Sequence, residues 1–249
     1  MSLPSRGVGA FDTAVLERGS QRSGRIEAEL TRLERAHVQL LIDALRPMRR
    51  DERVLHVGRS VEAVAALAEH LDCAVDTAVL EQAPPDLDDG VFDAVVDSEI
   101  HRRTDLFKYC AQLSRVLRPR GRFTFTTWCV PDDVPPDNRH IQALDRQTRV
   151  VAQPWSRYFA ALTSNGFVPY QVIDLTRQAI PYWRLRLESA RRSGIEAAFL
   201  AAYTNRAAGL VLVAAERFNA MPRAVSPASA TVALPPPPAV RSAFGLAYD

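Results

Sequence analysis

Lysine is nearly missing from this sequence of 249 residues: Lys108 is the lone lysine among 31 basic residues, and the rest are arginine. That bias matches a GC-rich coding sequence and answers no functional demand. Cysteine is scarce too, with Cys73, Cys110 and Cys129 odd in number, far apart and set in apolar runs, which argues against a disulfide framework and suits a reducing cytoplasm. Charge of one sign is not in excess. The formal net charge is +2 and the basic residues are scattered, so the electrostatic footprint of a nucleic-acid binder is missing. No uninterrupted apolar stretch reaches membrane-spanning length, and the opening Met-Ser-Leu-Pro-Ser-Arg-Gly lacks an apolar signal core, so a soluble cytoplasmic protein without a membrane partner is expected. His37, His56, His70 and His140 show no ligand spacing with Cys or acidic residues, and no metal site is expected.

What is present is the composition of a soluble globular protein, 47% apolar and 24% charged, in a chain long enough for one sizeable core and a tail. Residues 1–22, rich in Gly, Ser and Arg, read as a flexible arm, 23–218 as the folded domain, and 219–249, with Pro235 to Pro238, as a Pro/Ala-rich tail. Within the domain, Ile26, Leu30, Leu33, Leu40, Leu41 and Leu45 recur at helical spacing. Val54 to Val57 predicts a strand, followed by Gly58 and a helical pattern over Val61 to His70. Strands are further predicted at Cys73 to Leu80, Phe92 to Val96, Arg122 to Trp128, Phe167 to Leu175 and Gly209 to Ala215, with helices over Thr104 to Leu117, Trp155 to Asn165 and around Tyr182 to Tyr203. Strands alternating with helices imply a mostly parallel, doubly wound α/β sheet, here with a C-terminal antiparallel hairpin.

Three segments carry a resemblance. Val54-Leu-His-Val-Gly58, Phe92-Asp-Ala-Val-Val96 and Leu113-Ser-Arg-Val-Leu-Arg-Pro-Arg-Gly121 resemble, in order, the first motif, the fourth strand and the helix and turn before the fifth strand of class I S-adenosylmethionine (SAM)-dependent methyltransferases. Phe159 to Phe167, Asp174-Leu-Thr with Pro181-Tyr-Trp183, and Gly209 to Ala214 extend the resemblance to the small-molecule branch that includes tocopherol, terpene and sugar methyltransferases. The resemblance implies a Rossmann-like fold.

Against that pattern the sequence departs at the cofactor turn. Gly58 is kept, Ser60 and Glu62 stand where two further glycines are expected, His56 replaces an acidic residue in the first strand, and Leu80 replaces the acid that would hold the ribose. The span from Leu80 to Phe92 is too short for a crossover helix and a strand, so the third strand and its helix are expected to be missing. From these departures the sequence reading expects no bound cofactor, with Gly58 and Ser60 as vestigial cofactor residues.

His101, with Glu99, is the candidate catalytic residue, since a neutral imidazole accepts protons near pH 7; where some members of the resembled family carry an acidic partner this sequence has Thr127, so the base is expected to lack its orienting group. Trp128, Tyr182 and Trp183, together with Trp155, are candidates to line an apolar substrate pocket, and the pairs Arg49 and Arg50, Arg102 and Arg103, and Arg191 and Arg192 to clamp an anion such as a diphosphate. The function expected is a non-catalytic auxiliary subunit of natural-product biosynthesis that pairs with a homologous methyltransferase or with itself. The alternatives are a SAM-independent cyclase using the same cavity, and an active methyltransferase with an unusual cofactor site.

Overall fold

The computed structural model describes residues 10–45, 47–58, 67, 69, 71, 73–78, 87–97, 100–103, 105–189, 194–218 and 241–242. Their strands form one sheet. β1 (Arg53–Val57) and β3 (Phe92–Asp97) are short apolar runs buried along almost their whole length, as strands covered on both faces must be. β1 lies between β2 (Ala74–Ala78) and β3, parallel to both, with Val57 in register with Ala78 on one side and Asp97 on the other. β4 (Leu117–Cys129) runs parallel to β3. β6 (Gly209–Arg217) is inserted antiparallel between β4 and β5 (Phe167–Asp174), and the pair β7 (Arg241–Ser242) lies parallel beyond β5, giving the order β2-β1-β3-β4-β6-β5-β7. Among the described residues no strand falls between β2 and β3, and β2 is the sheet edge.

Helices cover both faces. α1 (Ala10–Leu45) lays Leu41, Ile42 and Leu45 on one face, against Val54, Ala94, Val96 and Leu212. α2 (Leu106–Val116) and α4 (Trp155–Ser164) cover the other, where Leu55, Val57, Phe123 and Phe125 meet Leu113, Tyr158 and Leu162. A third cluster gathers at the carboxyl end of β4, where Trp128 and Val130 pack with α3 (Arg139–Thr148), α5 (Thr176–Glu188) and α6 (Ile195–Thr204).

Four local expectations change. The N-terminal arm is shorter, because α1 begins at Ala10: the strong helix formers of Ala-Val-Leu-Glu-Arg outweigh Gly19 and Gly24, each of which costs only about 1 kcal/mol in a helix. α3 was not anticipated, since only Ile141 and Leu144 are buried along it; its start is fixed by the Asn138 side chain, which accepts the His140 N–H at 2.9 Å. The helical stretch to Tyr203 is two helices, with Gly194 at φ 95° opening the second, and the antiparallel pair expected at the C-terminal end is formed by β5 and β6. β7 falls within the segment read as tail.

β4 also starts five residues before the expected Arg122. Phe92 pairs with Leu117 but Ala94 with Arg122, so Arg118 to Gly121 bulge out of the ladder, with Arg120 at φ 64°. A Cβ on Gly121 would lie 2.8 Å from the Arg118 carbonyl oxygen and 2.9 Å from Leu117 Cδ2. Gly121→Ala is therefore expected to destabilise the fold by about 1–3 kcal/mol, as overpacking against backbone does. An unchanged urea midpoint would show that the bulge relaxes freely.

Candidate functional site

The strands alternate sides after β1: β2 pairs on one side of it and β3 on the other. In open α/β sheets such a switch point leaves a crevice at the carboxyl ends of the strands, where ligands bind. Here the crevice is bordered by Gly58 and Asp97. Gly58 has φ 150°, a conformation open to glycine and costly to other residues, so the backbone makes its turn off β1 without a side chain in the way. Two residues earlier, His56 is fully buried with neither ring nitrogen hydrogen-bonded, and burial lowers its pKa, so the imidazole is neutral and keeps one acceptor nitrogen.

Across from Gly58, Asp97 is fully buried at the end of β3 and accepts the hydroxyl proton of Tyr109 from the first turn of α2. Burial, then the charge of Asp97, pushes the Tyr109 phenol up, so it stays a donor. The chain between them makes a short 3-10 turn (Ile100–Arg102) and returns Arg103 to the same place, its Nη2 3.7 Å from Asp97 Oδ2 and its guanidinium 4.8 Å from the centre of the Tyr109 ring. Nearby Cys110 is pushed up to about 12 by burial and then by Asp97, which makes it an inert thiol.

His101 sits on the 3-10 turn, 6.2 Å ring to ring from Trp128. Trp128 meets Phe199 edge-on at 5.7 Å, and Phe199 stacks on Trp183 at 4.3 Å with the planes 6° apart. Tyr182 follows at 5.2 Å from Trp183, and its hydroxyl donates to Glu34 Oε1 of α1 at 3.1 Å. A continuous row of rings thus runs from His101 to the N-terminal helix. Burial, then Arg102 and Arg103, lowers the His101 pKa to about 4, so this imidazole is neutral throughout the physiological range.

The structure places His101, Trp128, Tyr182 and Trp183 along one row of rings, and adds Phe199, whose place on an Ala-rich helix gave no sign of it. Trp155 does not join them; it packs under the sheet with Tyr158. Thr127, which stands in place of an orienting acid, points to the other side of β4 and donates to the Tyr158 hydroxyl at 3.0 Å. Among the arginines, Arg49 and Arg50 lie exposed before β1, at the opposite end from the crevice, and Arg102 is exposed, whereas the Arg103 side chain is only 6% exposed. Glu99, Ser60, Glu62, Leu80, Arg191 and Arg192 lie outside the described residues. Asp97 and Tyr109 were missed; an Asp directly after the three apolar residues Ala94 to Val96 was the available signal.

Strand order, crevice and glycine turn define a class I methyltransferase fold. No protein-family model matches the chain. It is 30% identical over 240 residues to a geranyl diphosphate 2-C-methyltransferase of Saccharopolyspora erythraea, with 85% of this chain and 84% of the relative covered. The fold matches a geranyl diphosphate methyltransferase solved in complex with SAM, at TM-score 0.68 and 26% identity, over 78% of this chain and 90% of that one. It also matches the geranyl diphosphate C-methyltransferase of Streptomyces coelicolor A3(2), solved with Mg2+, geranyl diphosphate and S-adenosyl-L-homocysteine, at TM-score 0.73 and 23% identity, over 78% and 84%. The chain belongs to the family of geranyl diphosphate 2-C-methyltransferases.

This kinship corrects the expectation that no cofactor is bound. The solved structures that this fold matches hold SAM or S-adenosyl-L-homocysteine, so loss of SAM binding no longer stands as the expectation. The substitutions at His56, Ser60, Glu62 and Leu80 change individual contacts and do not establish loss of the whole site. The described residues fit the group: Gly58 keeps the bare turn at the strand end, and the neutral His56 retains an acceptor in place of the carboxylate. Among the described residues no helix is long and apolar enough to cross a membrane.

Proposed function

We propose that this chain is a SAM-dependent methyltransferase of natural-product biosynthesis that methylates a carbon of an isoprenyl diphosphate. The row of rings from His101 through Trp128 and Phe199 to Trp183, beside the crevice, carries this reading, because an isoprenyl chain needs an apolar aromatic wall and a polar group at one end. The cofactor, when bound, supplies an electrophilic methyl group. Gly58 and His56 would hold it. Trp128, Trp183 and Tyr182 orient the chain and keep water from the reacting carbon. That carbon must release a proton when a methyl group replaces its hydrogen, and His101, neutral near pH 7, accepts it, with Glu99 as the second candidate.

Incubating the full chain with SAM, Mg2+ and geranyl diphosphate, followed by phosphatase treatment and mass analysis, is expected to give a prenol heavier by one methylene. Failure to bind SAM by titration, together with no methylated product from a series of isoprenyl diphosphates, would reject the reading.

Ser60, Glu62 and Leu80 favour a second reading, in which turnover alone is weak and the chain acts as an auxiliary subunit paired with a homologous methyltransferase. Co-expression with such a homologue would then raise product formation well above that of either chain. Additive activities and a monomer by native mass would dismiss it.

A further inference from the structure

Arg103 makes an unusual use of its charge. Its side chain is 6% exposed, yet neither Nε nor Nη2 has a hydrogen-bond partner. These two nitrogens form one edge of the guanidinium, the edge that presents two parallel N–H bonds to a carboxylate or phosphate. Asp97 does not take that fork, since Nη2 stands 3.7 Å from Oδ2, beyond hydrogen-bond range, and the Tyr109 hydroxyl already donates to that oxygen. Below the guanidinium plane lies the Tyr109 ring at 4.8 Å. Position and charge are therefore fixed by Asp97 and Tyr109, while the strongest recognition edge is left without a protein acceptor. Leaving buried donors unsatisfied is costly, more so when they are charged, so such a group calls for a reason.

We propose that the Nε and Nη2 edge of Arg103 binds phosphate oxygens of the substrate's diphosphate at the carboxyl end of β3. The inference rests on the reading of the substrate as an isoprenyl diphosphate and assigns its anionic end. Arg103 follows directly on the three-residue turn that carries His101, so one short segment holds both the anion and the proton acceptor, and the diphosphate is anchored at the His101 end of the row of rings. Access requires that this single turn lift, a smaller change than moving a strand or a full helix. Asp97 does not cancel the attraction, because its charge is shared with the Tyr109 donor and it takes no hydrogen bond from the fork.

The test is titration of the full chain with geranyl diphosphate, inorganic pyrophosphate, geraniol and S-adenosyl-L-homocysteine, in wild type, Arg103→Gln and Arg103→Lys. Arg103→Lys keeps a positive charge opposite Asp97 but lacks the fork, and thermal melts verify that it folds. The expected result is at least tenfold weaker binding of geranyl diphosphate and pyrophosphate in Arg103→Lys, with geraniol and S-adenosyl-L-homocysteine unaffected. Undiminished diphosphate binding in a folded Arg103→Lys overturns the assignment. So does a loss confined to S-adenosyl-L-homocysteine, which would give the fork to the cofactor's carboxylate. Wild type that binds pyrophosphate through Arg103 but not geranyl diphosphate would uphold the anion site and reject the isoprenyl reading. Binding of neither anion by wild type would remove both.

Discussion

Replacing Asp97 with alanine is expected to destabilise the protein by about 3–5 kcal/mol, the range seen when one member of a buried ion pair is removed. The carboxylate is fully buried and meets a guanidinium that is itself 6% exposed, so Asp97→Ala strands the Arg103 charge and the Tyr109 hydroxyl together. At an exposed pair the same deletion would cost under about 1 kcal/mol, because water would re-solvate the survivor. The double substitution Asp97→Ala with Arg103→Met should recover much of the loss, since it removes the stranded charge. Urea denaturation of the three proteins measures this. If Asp97→Ala alone cost no more than a surface substitution, the pair would be solvated and the cluster would not be the fixed point of the loop that carries His101.

Acidification supplies the second large effect. The folded-state pKa of His101 is lowered to about 4 by burial and its two arginine neighbours, and burial lowers His37 and His56 as well. A histidine whose pKa is depressed on folding favours the native state fully above its unfolded value near 6.5, and that contribution falls as the unfolded chain takes up protons more readily. Stability should thus decline from about pH 6.5 downward to about pH 4, by about 1.4 kcal/mol per pH unit for each such group across its window, and by about 3 kcal/mol for His101 over the full range. Urea midpoints measured between pH 7.5 and 4.5 should fall accordingly. His101→Gln, which removes the titrating ring, should flatten the slope, while an unchanged slope would mean that His101 is solvated. His37 adds a structural consequence: it is partly buried between α1 and the sheet with its Nε2 3.1 Å from Thr126 Oγ1, so placing a charge there, which burial disfavours, should loosen the seat of α1.

The parallel core was legible because buried strands leave continuous apolar runs: Val54 to Val57 and Phe92 to Val96 admit few other readings, and the Pro119 to Gly121 turn marks where a helix must stop. The N-terminal arm was misplaced because side-chain composition was weighed over helix propensity along residues 10–22. α3 escaped notice because two buried residues in ten produce almost no periodic signal. The cofactor expectation failed for a different reason. Substitutions in one motif were counted as losses, although affinity is a sum over many contacts, and kinship with geranyl diphosphate 2-C-methyltransferases over 240 residues weighs against that count.

The sequence by itself determined the layered α/β architecture and the glycine that ends β1, because each is written in local periodicity or in a residue type with a single conformational use. Only the tertiary structure decided which arginine of the pair Arg102 and Arg103 is buried. Arg102 and Arg103 are neighbours of identical chemistry, and what separates them is a return of the chain that buries the side chain of one beside Asp97 and Tyr109 and leaves the other exposed. Burial and the direction of a hydrogen-bonding edge are properties of packing between distant segments, which no local pattern encodes.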